Sequence, residues 1–130
     1  MALPLPCFDD LSNSDLRSLT HTCGIQAVTT ATSRPGVARV WAQVAALLED
    51  ESRAREGEAP VFGRLLDFAE TENPELRFFS RLLLLLAAGR LDLGDLPCAL
   101  LALDVATLVL GERGRRQEEL KELNRIWELP

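Results

Sequence analysis

The clearest periodicity lies between residues 37 and 48. Val37, Val40, Trp41, Val44, Leu47 and Leu48 recur at three- and four-residue steps, the spacing of a helix that buries one face. Arg39, Gln43, Glu49 and Asp50 take the other side. Ser33 and Pro35 mark the start of this helix, because proline's fixed φ suits a first turn. The charged stretch 49–60, EDESRAREGEAP, reads as a solvated helix end running into a loop.

A second segment is apolar without being periodic. From Leu82 to Ala88 every side chain is hydrophobic, and a helix with no polar face is buried on all sides. Its frame is legible. Asn73 suits an N-cap, and Pro74 the first helical position. Glu75 sets a negative charge at the positive end of the dipole, and Gly89 supplies a left-handed stop. Arg77 and Arg81 share a stripe with Leu84 and Ala88, so the early turns show charge to water and the later ones do not. A central helix over 73–89 is expected, with Leu84 and Ala88 covered by the next helix or by a second copy of the chain. The apolar run falls far short of the ~20 residues needed to cross a bilayer.

The flanks fill in around these two. Residues 1–11, with Pro4 and Pro6, are expected to be an irregular arm, and residues 12–130 one helical domain. Ser12 and Asp15 have the spacing of a capping box, opening a short helix that carries Leu16 and Leu19 and ends near Cys23–Gly24. The threonine-rich stretch that follows predicts a separate short helix over 25–30, or a loop. Pro60 opens a helix to about Thr71, with Val61, Phe62, Leu65, Leu66 and Ala69 inward. Asp95 caps a nearly all-apolar helix from Leu96 to Leu110, closed by Gly111. A final amphipathic helix over 115–128 sets Leu120, Leu123, Ile126 and Trp127 against a charged face. Together these predict an all-α, single-domain compact bundle of about five to six helices around a buried central helix, residues 73–89.

Composition agrees with helices. Leucine and alanine dominate and tyrosine is absent; both are strong helix formers. One lysine, Lys121, stands among 14 basic side chains, the usage of a GC-rich bacterial coding sequence. Formal net charge is −6. The basic cluster Arg113, Arg115 and Arg116 is diluted by Glu112, Glu118 and Glu119. Nucleic acid is therefore not an expected partner, since phosphate binding needs a basic track. Three cysteines without framework spacing suit a reducing cytosol. The opening MALPLPCFDD lacks the basic and long apolar regions of a signal peptide, so neither secretion nor a membrane partner is expected.

Chemistry is sparse. His21 and Cys23 are two apart, which on a helix turns them ~200° from each other and spoils a nucleophile–base pair. Cys7, His21, Cys23 and Cys98 could in principle supply four zinc ligands, but their spacing matches no paired knuckle. Asp104, inside an apolar helix, is a candidate buried polar group that must pair, face water or line a ligand pocket. Leu86, Ala87, Gly94, Ala99, Leu103 and Ala106 match positions of one tetratricopeptide unit, yet no second copy follows at that period, so the match is that of an Ala/Leu-rich hairpin. No phosphate loop, HExxH or GxSxG motif is present. The expected function is a non-enzymatic helical interaction or regulatory module without cofactor or metal, binding a protein partner or itself. Its candidate interface residues are Leu84, Ala88, Leu123, Ile126 and Trp127. The alternative is a small-ligand-binding bundle with an apolar pocket near Asp104.

Overall fold

Ser12 opens the first helix by the reciprocal bonds its spacing predicts. Its hydroxyl accepts from the Asp15 N–H at 3.1 Å, and Asp15 Oδ2 accepts from the Ser12 N–H at 3.2 Å. A computed structural model of the chain describes residues 2–3, 11–59 and 66–128. Helix α1 spans Asn13–Thr30 without a break at Gly24. A mid-helix glycine costs only ~1 kcal/mol, and the threonines lend their hydroxyls to the helix itself. Thr20 donates to Leu16 O at 2.6 Å and Thr30 to Gln26 O at 2.6 Å. The expected separate helix over 25–30 is thus the second half of α1. Helix α2 follows as Pro35–Arg55 and pairs with α1 in the first of two helical hairpins.

Residues 66–71 depart from expectation. The helix predicted from Pro60 to Thr71 lies partly outside the described residues, at 60–65, and its remainder is not helical. Leu66–Asp67 forms a short strand, β2, antiparallel to β1 (Ala2–Leu3), with Ala2 opposite Asp67 and Leu3 opposite Leu66. Leu66 and Phe68 are buried and Asp67 is exposed, the alternation of a strand. Gln43 of α2 takes the place of a neighbouring strand: its amide donates to Asp67 O at 2.8 Å and accepts from Asp67 N–H at 2.6 Å. The rest of the expected N-terminal arm, residues 1 and 4–10, lies outside the described residues.

Helix α3 (Asn73–Asp92) and helix α4 (Leu96–Trp127) form the second hairpin. Asn73 is not the cap. Glu72 is, without a side-chain bond. Gly89 does not stop α3 either. The left-handed residue is Gly94, φ 76°, with Asp95 N–H reaching Arg90 O at 2.9 Å and Gly94 N–H reaching Leu91 O at 3.0 Å, the paired bonds of a Schellman turn. Asp95 then caps α4 by accepting from Cys98 N–H. Likewise Gly111 does not end α4. Glu112 and Arg115 tie the turn across Gly114, and Arg115 and Glu119 the next one. The helix runs on through Gly111, so the two helices expected over 96–110 and 115–128 are one of 32 residues. These mergers leave four helices among the described residues rather than five or six.

The four helices form one all-helical domain with a single core. Trp41 of α2 meets Phe79 of α3 edge to face, centroids 5.2 Å apart. Gly36 is needed for a close approach, since a Cβ there would lie 1.9 Å from Glu75 Oε2, whose partner oxygen accepts from Gly36 N–H. The central helix is not enclosed as its composition predicted. Leu76, Phe79, Leu83 and Ala87 are buried, but Leu84 is 45% and Leu85 72% exposed. Helices α4 and α2 cover one side of α3, and the remainder of its leucines meet solvent.

Truncation should separate the two kinds of leucine-run residue. Phe79→Ala is expected to cost about 3–5 kcal/mol in urea unfolding. Leu85→Ala should stay within about 0.5 kcal/mol of the parent.

Candidate functional site

At 1.5 Å per residue, α4 is ~48 Å long and α3 ~30 Å, so α4 outruns its hairpin partner. The face α4 turns to the core is a seam at alternating four- and three-residue steps. Cys98, Ala102, Val105 and Val109 are buried along it. The next positions fasten α4 to the start of α3. Arg113 Nη1 donates to Ser80 Oγ at 3.1 Å. Arg116 donates from Nη1 to Thr71 O at 2.7 Å and Asn73 Oδ1 at 2.8 Å, and from Nη2 to Phe68 O at 2.7 Å. Beyond Arg116 the same steps give Leu120, Leu123 and Trp127, all exposed, Trp127 to 84%. Ile126 flanks them, also exposed. Residues 117–127 are therefore an arm whose apolar stripe continues the core-facing seam past the end of α3.

The base of the arm is a cleft of about 950 Å³ between α4 and the turn leading into α3. Pro74, Arg77, Arg113, Arg116, Leu120 and Leu123 contribute to its walls, along with Glu70, Glu72 and Glu119. Behind it lies the buried carboxylate of α4, Glu112. Hydrogen bonding from Arg115 holds the Glu112 carboxyl below its usual range, against the opposing effect of burial. The arm's outer side is closed on itself by Lys121–Glu118 and Arg125–Glu122 ion pairs.

The residues singled out from sequence fall in three places. Leu123, Ile126 and Trp127 lie on the arm. Leu84 and Ala88 are exposed on α3, at least eleven residues and ~16 Å along the helix from Asn73, and belong to a separate patch. Asp104 is half-buried rather than enclosed, has no ion pair among the described residues, and lies about two and a half turns before Arg113. The buried acid of that helix is Glu112 instead. His21 is exposed while Cys23 is buried, so the two leave α1 on different sides. Cys23 and Cys98 are both buried and free, and Cys7 lies outside the described residues. Burial, and secondarily the Cys98 thiol, push the Cys23 thiol up to about 12. Among the described residues no group of three His, Cys, Asp or Glu side chains could hold a metal ion, and no helix is long and apolar enough to cross a membrane.

Arg113, Arg116 and Glu112 escaped the sequence reading, where they were a dilute basic cluster. The seam spacing from Cys98 to Trp127, alternating except for two successive four-residue steps from Val105 to Arg113, was the available signal, and treating Gly111 as a stop concealed it. Compared with family models, curated proteins and solved structures, the chain matches none of them.

Two measurements test these environments. Glu112 stabilises the fold fully above the ordinary carboxylate value of 4.5 and loses that contribution as pH falls through its lowered folded value. Glu112→Gln should therefore be less stable than the parent at pH 7, with the gap closing below pH ~4. Cys23, raised from 9.0, keeps its stabilising effect below that value and loses it as pH rises toward about 12. Iodoacetamide at pH 8 should leave Cys23 unmodified in the folded protein and label it after denaturation.

Proposed function

We propose that this protein is a non-enzymatic helical interaction module whose docking element is the arm of α4. The observation that carries this reading is the continuity of one seam. The steps that pack α4 into its own core run on through Leu120, Leu123 and Trp127, where no described residue buries them. An apolar stripe on an otherwise charged helix is how helices dock on one another. The partner is a protein. Nucleic acid is disfavoured by the −6 net charge, and because Arg115 and Arg116 are engaged by Glu112 and by backbone carbonyls. The odd, unpatterned cysteines favour a reducing cytosol as its setting. The alternative of a ligand-binding bundle rests on less, since Asp104 is absent from the walls of the cleft at the arm's base.

Immobilised protein and a Leu120→Glu/Leu123→Glu variant, both checked for folding through the buried Trp41, should capture different proteins from a lysate of the native host. Proteins retained by the parent and lost by the variant are expected. Identical capture by the two overturns the reading.

A further inference from the structure

We infer that the helix received by the arm is the arm of a second copy, lying antiparallel, so that each Trp127 enters the other copy's cleft. This rests on the docking reading above and adds the identity of the partner.

The direction follows from the seat already filled. Helix α3 occupies the seam of α4 up to Arg116 and begins at Asn73. An arm running antiparallel to α4 runs in the direction of α3 and takes up the seam where α3 leaves it. Its C-terminal end then faces the N-terminal end of α3, an arrangement in which the two helix dipoles attract. A parallel arm would bring its own body onto this one. The seam faces the body, as the reach of Arg116 to Phe68, Thr71 and Asn73 shows, and paired helix axes lie only ~8–10 Å apart.

The side chains fit a two-fold pairing. Setting Leu120 against Leu123 of the other copy also sets Trp127 against Arg116. In that register the flanks bring Gln117 to Asn124 and Glu119 to Ile126, so no like charges meet. Trp127 arrives beside Pro74, Arg77 and Arg113, where its ring face suits a guanidinium. The arm is acidic, with Glu118, Glu119, Glu122 and Glu128 against Lys121 and Arg125. On the receiving wall it meets Arg77 beside Glu72, while Arg113 and Arg116 there are already bonded to Ser80 and to backbone carbonyls. Glu70 on that wall is already paired with Arg39, and Glu119 with Arg115. Because the contact is made twice, the total buried area reaches on the order of 1,000 Å², the lower bound of a specific interface.

Sedimentation across a rising concentration series, with Trp127 emission followed in parallel, tests the pairing. A monomer–dimer equilibrium is expected, with a blue shift of Trp127 as dimer forms and at least a tenfold weakening in Trp127→Ala and Leu123→Glu. In a Cys7→Ser background, Glu119→Cys and Ile126→Cys proteins should cross-link when mixed and much less when alone. A dimer indifferent to both arm variants, or one that cross-links only like with like, overturns the inference. So does a protein that stays monomeric. If arm-dependent capture from lysate persists in that case, the docking reading stands and only the second copy is rejected as its occupant.

Discussion

The guanidinium of Arg116 joins α4 to one short segment, residues 68–73, that lies more than forty positions earlier in the chain. It satisfies Phe68 O and Thr71 O in an irregular segment, and Asn73 Oδ1 at the first residue of α3. Charge-assisted bonds of this kind are about twice as strong as neutral ones. Segment 66–73 has little regular structure of its own and depends on such outside partners. Gln43 holds its beginning at Asp67, and Arg116 holds its end. Glu112 stands behind the clamp, 3.7 Å from Arg116 Nε and bonded to Arg115. The base of α4's arm is thus held in place relative to the start of α3.

That placement gives the arm its character. An amphipathic helix with a free apolar stripe could lie against its own body, and here it does so only as far as Arg116. Beyond that point α3 has ended, and the seam goes on alone. The cleft and the exposed Trp127 follow from the length difference between two paired helices. The same hairpin leaves Leu84, Leu85 and Leu91 of α3 in solvent. Four helices of this length enclose one core and do not surround any one helix.

How much of this was legible from residues alone varied by element. The capping box at Ser12, the start at Pro35, the amphipathic register of Val37–Leu48 and the Asp95 cap are local relations, and each reads correctly. The all-helical class follows from composition and from the same local patterns. Stops were read less well. Gly24, Gly89 and Gly111 looked like helix ends, but a glycine inside a helix costs only ~1 kcal/mol. Burial of the flanking turns, Leu19 and Cys23 in α1 and Val109 and Glu112 in α4, holds the helix through Gly24 and Gly111.

What the sequence determined by itself was therefore where the four described helices begin (though not which further starts were false), which faces are apolar, and that the last helix carries Leu120, Leu123, Ile126 and Trp127 on a charged background. Tertiary structure alone decided which of those apolar faces would be covered. Burial depends on where a partner helix starts and stops, and that was fixed by bonds between residues more than forty positions apart, such as Arg116 to Thr71. Leu83 and Leu84 are neighbours of identical chemistry. One is fully buried and the other is 45% exposed, because only the packing of α4 and α2 distinguishes the sides of α3.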